Sequence, residues 1–215
     1  MSINNFEIIN SLLDFNIPNT MYLIQVLKRR KDNREMETGV KVVDNYYLYK
    51  PDDLLKLQDR IINNCKDKNA RAYINLNRLD TEKIALYTMK IITDYIINQQ
   101  YVQVKNAYSM ACGSHHSEEN KRWIVDIDLI DPVTKEVIPD MSDKYNAIIH
   151  FINKEHNEMN NKNPGVSSKW RSIIAEIPTK HGTHIITNPF NLKLFGDKFP
   201  GIDVNKNSPT ILYIP

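Results

Sequence analysis

Only 2 cysteines, Cys65 and Cys112, occur in 215 residues, too few for the disulfide framework of a small secreted domain. Their scarcity points to a reducing, cytoplasmic setting. A long hydrophobic run is missing too. The longest apolar stretch, Ile84 to Ile97, is interrupted by Lys90, Thr93 and Asp94 and falls short of the ~18 apolar residues of a membrane span. The N-terminus lacks a basic region followed by an apolar one, and Glu7, Asn10 and Asp14 break up the residues after Phe6, so no export signal is read there. Charge of one sign is equally scarce. Lys+Arg 28 against Asp+Glu 26 leaves a net +2, which excludes affinity resting on bulk electrostatics. Any nucleic-acid contact must come from a local basic surface. Internal repeats and low-complexity tracts are absent.

What is present suits an ordinary globule. With 41% hydrophobic and 25% charged residues, 11 Tyr and 6 Phe, there is enough apolar material for a core, and general disorder is excluded. The length argues for one domain. Asn, Ile and Lys are abundant in a way that fits an AT-rich coding genome, and no function is read from them.

The spacing of apolar residues predicts alternating helices and strands. Residues 5–15 read as a short helix on Phe6, Ile9, Leu12 and Leu13, closed by Ile17-Pro18-Asn19. Met21 to Leu27 and Val40 to Tyr49 read as strands around Lys28 to Glu37. The Lys-Arg-Arg-Lys core of that segment reads as a solvated hairpin tip, a phosphate-contacting loop being the alternative. Pro51-Asp52-Asp53 opens a helix with Leu54, Leu57 and Ile61 on one face. Ala72 to Leu76 reads as a strand. Asp80-Thr81-Glu82 opens the clearest helix, running to about Gln99, whose Ile84, Leu86, Met89, Ile92, Tyr95 and Ile96 read as a core face. Cys112-Gly113-Ser114-His115-His116 offers thiolate and imidazole, but its spacing matches no standard zinc pattern. It reads as a polar loop.

A strand from Trp123 to Ile130 comes next, then a helix from about Ser142 to Met159, on which His150 and His156 read as surface residues, and a polar linker Asn160 to Ser168. Two strands around Pro178 to Gly182, a Phe-rich segment and a final strand Thr210 to Ile214 complete the chain. Strands separated by helices predict an α/β or α+β fold, a mixed sheet with flanking helices.

Three spots concentrate chemistry. In Trp123-Ile124-Val125-Asp126-Ile127-Asp128-Leu129-Ile130-Asp131, strand alternation puts Asp126 and Asp128 on one side and Val125, Ile127 and Leu129 on the other. Two carboxylates about 7 Å apart on one face can reach a divalent cation as hard oxygen ligands; a solvent-facing acidic edge is the plainer alternative. The second spot is Ile177-Pro178-Thr179-Lys180-His181-Gly182-Thr183-His184-Ile185, two strands joined by a tight turn in which Gly182 can take φ > 0. There His184, with neighbouring Thr and Lys, offers an imidazole, a hydroxyl and an ammonium to one anion, which suits a triphosphate. In the third, Gly201-Ile202-Asp203-Val204-Asn205-Lys206-Asn207-Ser208-Pro209-Thr210, an acid precedes a Lys/Asn-rich turn and a terminal strand.

In this order, hydrophobic-Asp-hydrophobic-Asp, then Gly-x-His, then hydrophobic-Asp, the motifs resemble those of the archaeo-eukaryotic primase superfamily, the primase-polymerases. Ile124-Val125-Asp126-Ile127-Asp128 matches its first motif, Gly182-Thr183-His184 its second and Gly201-Ile202-Asp203 its third. Asp203, Asn207 and Thr210 also resemble the Asp, Asn and Thr of the polymerase domain of bacterial end-joining ligases. The resemblance covers residues 120–215, leaving 1–120 as an N-terminal α/β portion. It implies a primase/RRM-like catalytic core. It further implies Mg²⁺ or Mn²⁺ held by Asp126, Asp128 and Asp203, and an incoming NTP or dNTP bound by His184, Thr183 and Lys180. Lys206 or Arg171 would reach phosphate or template. The implied partners are single-stranded DNA template and other replication proteins such as a helicase, with the host cytoplasm as location for a phage-encoded chain. Family members often carry Ser-Gly ahead of the second motif's Gly, where this chain has Pro178-Thr179. That difference and the small size motivate one alternative, a nucleic-acid or nucleotide-binding module that keeps the fold without the chemistry; a second, a metal-dependent nuclease, follows from the paired Asp residues, which also serve phosphodiester hydrolysis.

Overall fold

The apolar run Met21 to Leu27 becomes an interior strand of a sheet, its alternating side chains covered on both faces. The computed structural model describes residues 2–37, 39–113, 121–131, 133–162 and 172–215. In chain order its elements begin with β1 (Ile3–Asn4), α1 (Phe6–Leu12), β2 (Thr20–Arg29), β3 (Val40–Leu48) and α2 (Asp53–Lys68). Then come β4 (Arg71–Ile74), β5 (Leu79–Asp80), α3 (Thr81–Ile97), a 3-10 helix (Tyr101–Asn106) and α4 (Ala107–Cys112). The chain continues through β6 (Trp123–Asp128), α5 (Met141–Lys162), β7 (Ile173–Pro178), β8 (Gly182–Thr187), α6 (Leu192–Lys198), β9 (Asp203–Asn205) and β10 (Thr210–Ile214).

The fold is α+β. The single mixed sheet expected from the sequence is two sheets, ordered β1-β10-β4-β2-β3 with β5 on β2, and β7-β8-β6-β9. The pairings of β2 with β3, β4 and β5, of β6 with β8 and β9, and of β7 with β8 are antiparallel. The chain divides into two compact units, Met1–Asn120 with Leu212–Pro215, and Lys121–Ile211. The last residues of β10 belong to the first unit.

In the first unit, Met21 and Leu23 of β2 pack with Leu79, with Ile84 and Ile91 of α3, and with Ala107, Ala111 and Cys112 of α4. Tyr22, Ile24 and Val26 alternate to the opposite face and are buried as well. Both long helices begin as their sequences dictate. Asp80 accepts the Lys83 amide at 3.0 Å, satisfying an N–H group in the first turn of α3, and the Asp53 carboxylate accepts the Tyr49 and Lys50 amides, at 2.8 and 3.1 Å, holding the chain that leads into α2. Asn69, left-handed at φ 48°, ends α2. No helix among the described residues is long and apolar enough to cross a membrane.

In the second unit, Val125, Ile127 and Ile185 face a core made by Ile148, Phe151 and Ile152 of α5 and by Phe190, Phe195 and Phe199 around α6. Phe151 meets Phe195 and Phe199 edge-on, and Trp123 meets Phe190 the same way, each pair adding about 1 kcal/mol beyond its buried area. The Phe-rich segment is therefore the helical cap of this core.

Four local expectations are corrected. Leu86, Met89 and Ile96 of α3 are exposed, and Ile84 and Ile91 are its buried residues; the helix is apolar on two sides, which a one-face reading hides. Cys112 lies buried in α4 rather than in a polar loop. His156 is buried, its ring held by the Asn188 backbone. The basic hairpin tip is built rather than merely solvated. Asn33 is buried and donates to the carbonyls of Arg29 and Asn69 at 3.1 and 3.0 Å, Asp32 pairs with Arg71, and Arg29 donates to the Tyr73 hydroxyl.

Candidate functional site

The four-stranded sheet has one face on the Phe-rich core, so the residues between its core positions share the other. Asp126 pairs with His184 on β8 and with Asp203 on β9, and Asp128 pairs with Gly182. Directly opposed residues on antiparallel strands share a face with Cβ atoms about 5 Å apart. His184, Asp126 and Asp203 thus form a single row across three strands, with Asp128 one step further along β6. The three motifs meet on one surface although 58 residues separate the first Asp from the His and 19 the His from the last Asp.

Gly182 makes this register achievable. A Cβ there would lie 1.9 Å from the Ile127 carbonyl oxygen, so only glycine lets β8 approach β6 at this point. The expected positive φ is not at Gly182; it belongs to Gly201, at φ 82°, in the turn leading to Asp203. The β7–β8 turn is closed by the Thr179 amide donating to the Gly182 carbonyl and the Gly182 amide donating to Thr179 Oγ1, both at 3.0 Å. The His181 carbonyl accepts the Leu129 and Ile130 amides at 2.8 and 2.9 Å, tying the turn to the end of the Asp strand. Just beyond, the amides of Thr134 and Val133 donate to Asp131 and hold its carboxyl below the usual carboxylate value.

His184 is held at both ring nitrogens. Nδ1 lies 2.8 Å from Thr210 Oγ1, and Nε2 lies 3.4 Å from Asp126 Oδ1. Thr210 is fully buried, so its hydroxyl fixes the ring's orientation. The His184 side chain is 12% exposed and that of Asp126 38%, while Asp128 and Asp203 are exposed. The row runs from a shielded imidazole to open carboxylates.

The other expected residues divide. Lys180 is exposed at the turn beside the Asp128 end. Thr183 pairs with Ile127 and so alternates to the core side, where its hydroxyl donates to the Ile177 carbonyl at 3.3 Å. Lys206 sits with its ammonium 5.2 Å above the Trp123 ring, one residue past Asn205 and off the Asp row. The Thr183 departure comes from the two-residue period of a strand, which puts neighbours of a site residue on the opposite face, whereas Lys206 lies in the bend past the end of β9. Arg171 lies outside the described residues, as do His115 and His116. Burial pushes the Cys112 thiol up to about 11 and the Cys65 thiol to about 12, which disfavours the thiolate that zinc requires. Two neighbours of the site were not singled out as site residues. Thr210 had a signal, in the Asp, Asn, Thr spacing of the third motif; Lys135, whose ammonium lies 3.3 Å from His181 Nε2, had none.

Among the described residues, no three His, Cys, Asp or Glu side chains already converge as a ligand set. The donors nevertheless have the chemistry for one. Carboxylate oxygens are the ligands Mg²⁺ and Mn²⁺ prefer, and carboxylates opposed across strands, as Asp126 and Asp203 are, repel until a cation lies between them. Comparison of the chain with protein-family models, curated proteins and solved structures finds no match.

Proposed function

We propose that the chain is a metal-dependent nucleotidyltransferase of the primase-polymerase kind, joining nucleotides on a single-stranded DNA template. The observation that supports this best is the register that aligns Asp126, His184 and Asp203 on three adjacent strands, with Asp128 beside them. Asp126, Asp128 and Asp203 would hold Mg²⁺ or Mn²⁺. When bound, the ion supplies positive charge that activates a 3′-hydroxyl and stabilises departing pyrophosphate.

The chain's own residues do the rest by position. Thr210 keeps the His184 ring in place, and Lys180 binds the incoming NTP or dNTP through its phosphates, joined by His184 Nε2 where its 3.4 Å contact with Asp126 is given up. The exposed carboxylates leave the row open to a primer end. Catalysis then rests on alignment and electrostatics, with no covalent intermediate. The reading places the protein among replication proteins, in a cytoplasmic setting, with a helicase as a fitting partner.

The test is a primer-extension and de novo priming assay with labelled NTPs or dNTPs, single-stranded template, and Mg²⁺ or Mn²⁺. The Asp126→Asn/Asp128→Asn double variant should lose all metal-dependent product while melting as the wild type does. Undiminished synthesis by the variant would overturn the proposal. Metal-dependent shortening of the labelled strand would indicate a nuclease instead, and salt-sensitive binding without product a non-catalytic module.

A further inference from the structure

We infer that the outer face of α3 is a self-association surface, through which two copies of the chain pair antiparallel about a two-fold axis. Independently of the catalytic reading, α3 carries two apolar faces. One is buried through Ile84 and Ile91. The other exposes Leu86 at 63%, Met89 at 66%, Ile96 at 51% and Ile97 at 71%, and the 3-10 helix after it exposes Tyr101 at 64% and Val102 at 75%. Together these six residues present on the order of 700–800 Å², more than the ~300–600 Å² of the largest apolar patch on a typical monomer. The area is close to the ~800 Å² that each partner buries in a standard interface.

The pattern as well as the area favours a second copy. Leu86, Met89, Thr93 and Ile96 alternate spacings of three and four residues along α3, the seam by which one helix packs along another. A two-fold interface must be complementary to itself, and this seam has no charge along its centre. Laying Met89 against the partner's Thr93 lays Leu86 against the partner's Ile96. The same register brings Lys90, on the flank, within a turn of the partner's Asp94, so that opposite charges border the apolar strip on both sides of the axis.

Sedimentation equilibrium of the full chain, carried into the high micromolar range, should show a monomer–dimer equilibrium. Leu86→Asp with Met89→Asp changes only exposed positions, so the circular-dichroism melt should be retained while the dissociation constant rises about a hundredfold or more. Thr93→Cys offers a second readout. Native Cys65 and Cys112 are buried, so a short bismaleimide should link two copies of this variant through residue 93 alone. A wild-type chain that stays monomeric throughout overturns the inference, and so does a dimer that survives the double variant or leaves Cys-substituted residue 93 unlinked.

Discussion

In the N-terminal unit, buried cations meet anions one to one: Arg71 pairs with Asp32, and Arg78 Nη1 lies 2.9 Å from Asp14. Asn33 and Asn69 knit the surrounding backbone, Asn69 donating to the Asp32 carbonyl and to Asn33 Oδ1 at 3.1 Å each. In the C-terminal sheet, three carboxylates share a face with one imidazole. The first arrangement neutralises charge where water is excluded, and it serves stability. The second gathers like charge where water has access, which costs stability unless a ligand of opposite sign is bound. It is on this gathering of like charge in the second unit that the proposed function rests.

The contrast can be broken at the structural end first. Arg71→Met strands Asp32 beside the buried Asn33 network, and breaking a buried pair in this way should cost about 3–4 kcal/mol, read as a fall in the urea midpoint. Gly182→Ala comes next. With its Cβ set against the Ile127 carbonyl, it should cost about 2–3 kcal/mol as β8 shifts off β6. Gly196→Ala, where a Cβ meets nothing within 4 Å, should be neutral or slightly stabilising in its helix.

Thr210→Val removes the hydroxyl from a fully buried position and leaves His184 Nδ1 without that partner. It should cost about 1–2 kcal/mol and alter the imidazole's tautomer balance in ¹⁵N NMR. Thr210→Ser should preserve both. His156 gives a smaller, pH-dependent effect. Burial holds its imidazole below the ordinary 6.5, opposed by the Asn188 backbone and by Glu155, so the folded state binds its proton less readily than the unfolded one. Its contribution is therefore complete above pH 6.5 and is lost as pH falls through the lowered value. His156→Gln should flatten the acid side of the stability profile. Smallest of all, Asp128→Asn should change stability by no more than about 0.5 kcal/mol, in the favourable direction as like charges are relieved.

Much of this architecture was legible because period and punctuation agree along the chain. Met21–Leu27, the acids opening α2 and α3, and the Asp126/Asp128 alternation each announce their element, and the Asp, His and Asp motifs contain the residues that the strands bring into one row. What was not legible depends on the third dimension. Thr183 stands next to His184 in sequence, yet strand alternation turns it away, and Lys206 follows the Asp203 strand only to rest, past its end, over the Trp123 ring. Leu86 and Met89 look like core because periodicity reports that a face is apolar, not which apolar face is covered. His156 looks polar until the Asn188 backbone is folded against it. Thr210 gains its role only when the last strand returns its hydroxyl to His184.

The central claim is that the cross-strand row is a nucleotidyl-transfer site, and Asp203 tests it most directly, since it joins the row only through the pairing of β9 with β6. Nucleotide incorporation on a primed single-stranded template with Mn²⁺ should be abolished by Asp203→Asn while the urea midpoint stays unchanged. Equal incorporation by wild type and variant, or none by the folded wild type with either Mg²⁺ or Mn²⁺, would contradict the account.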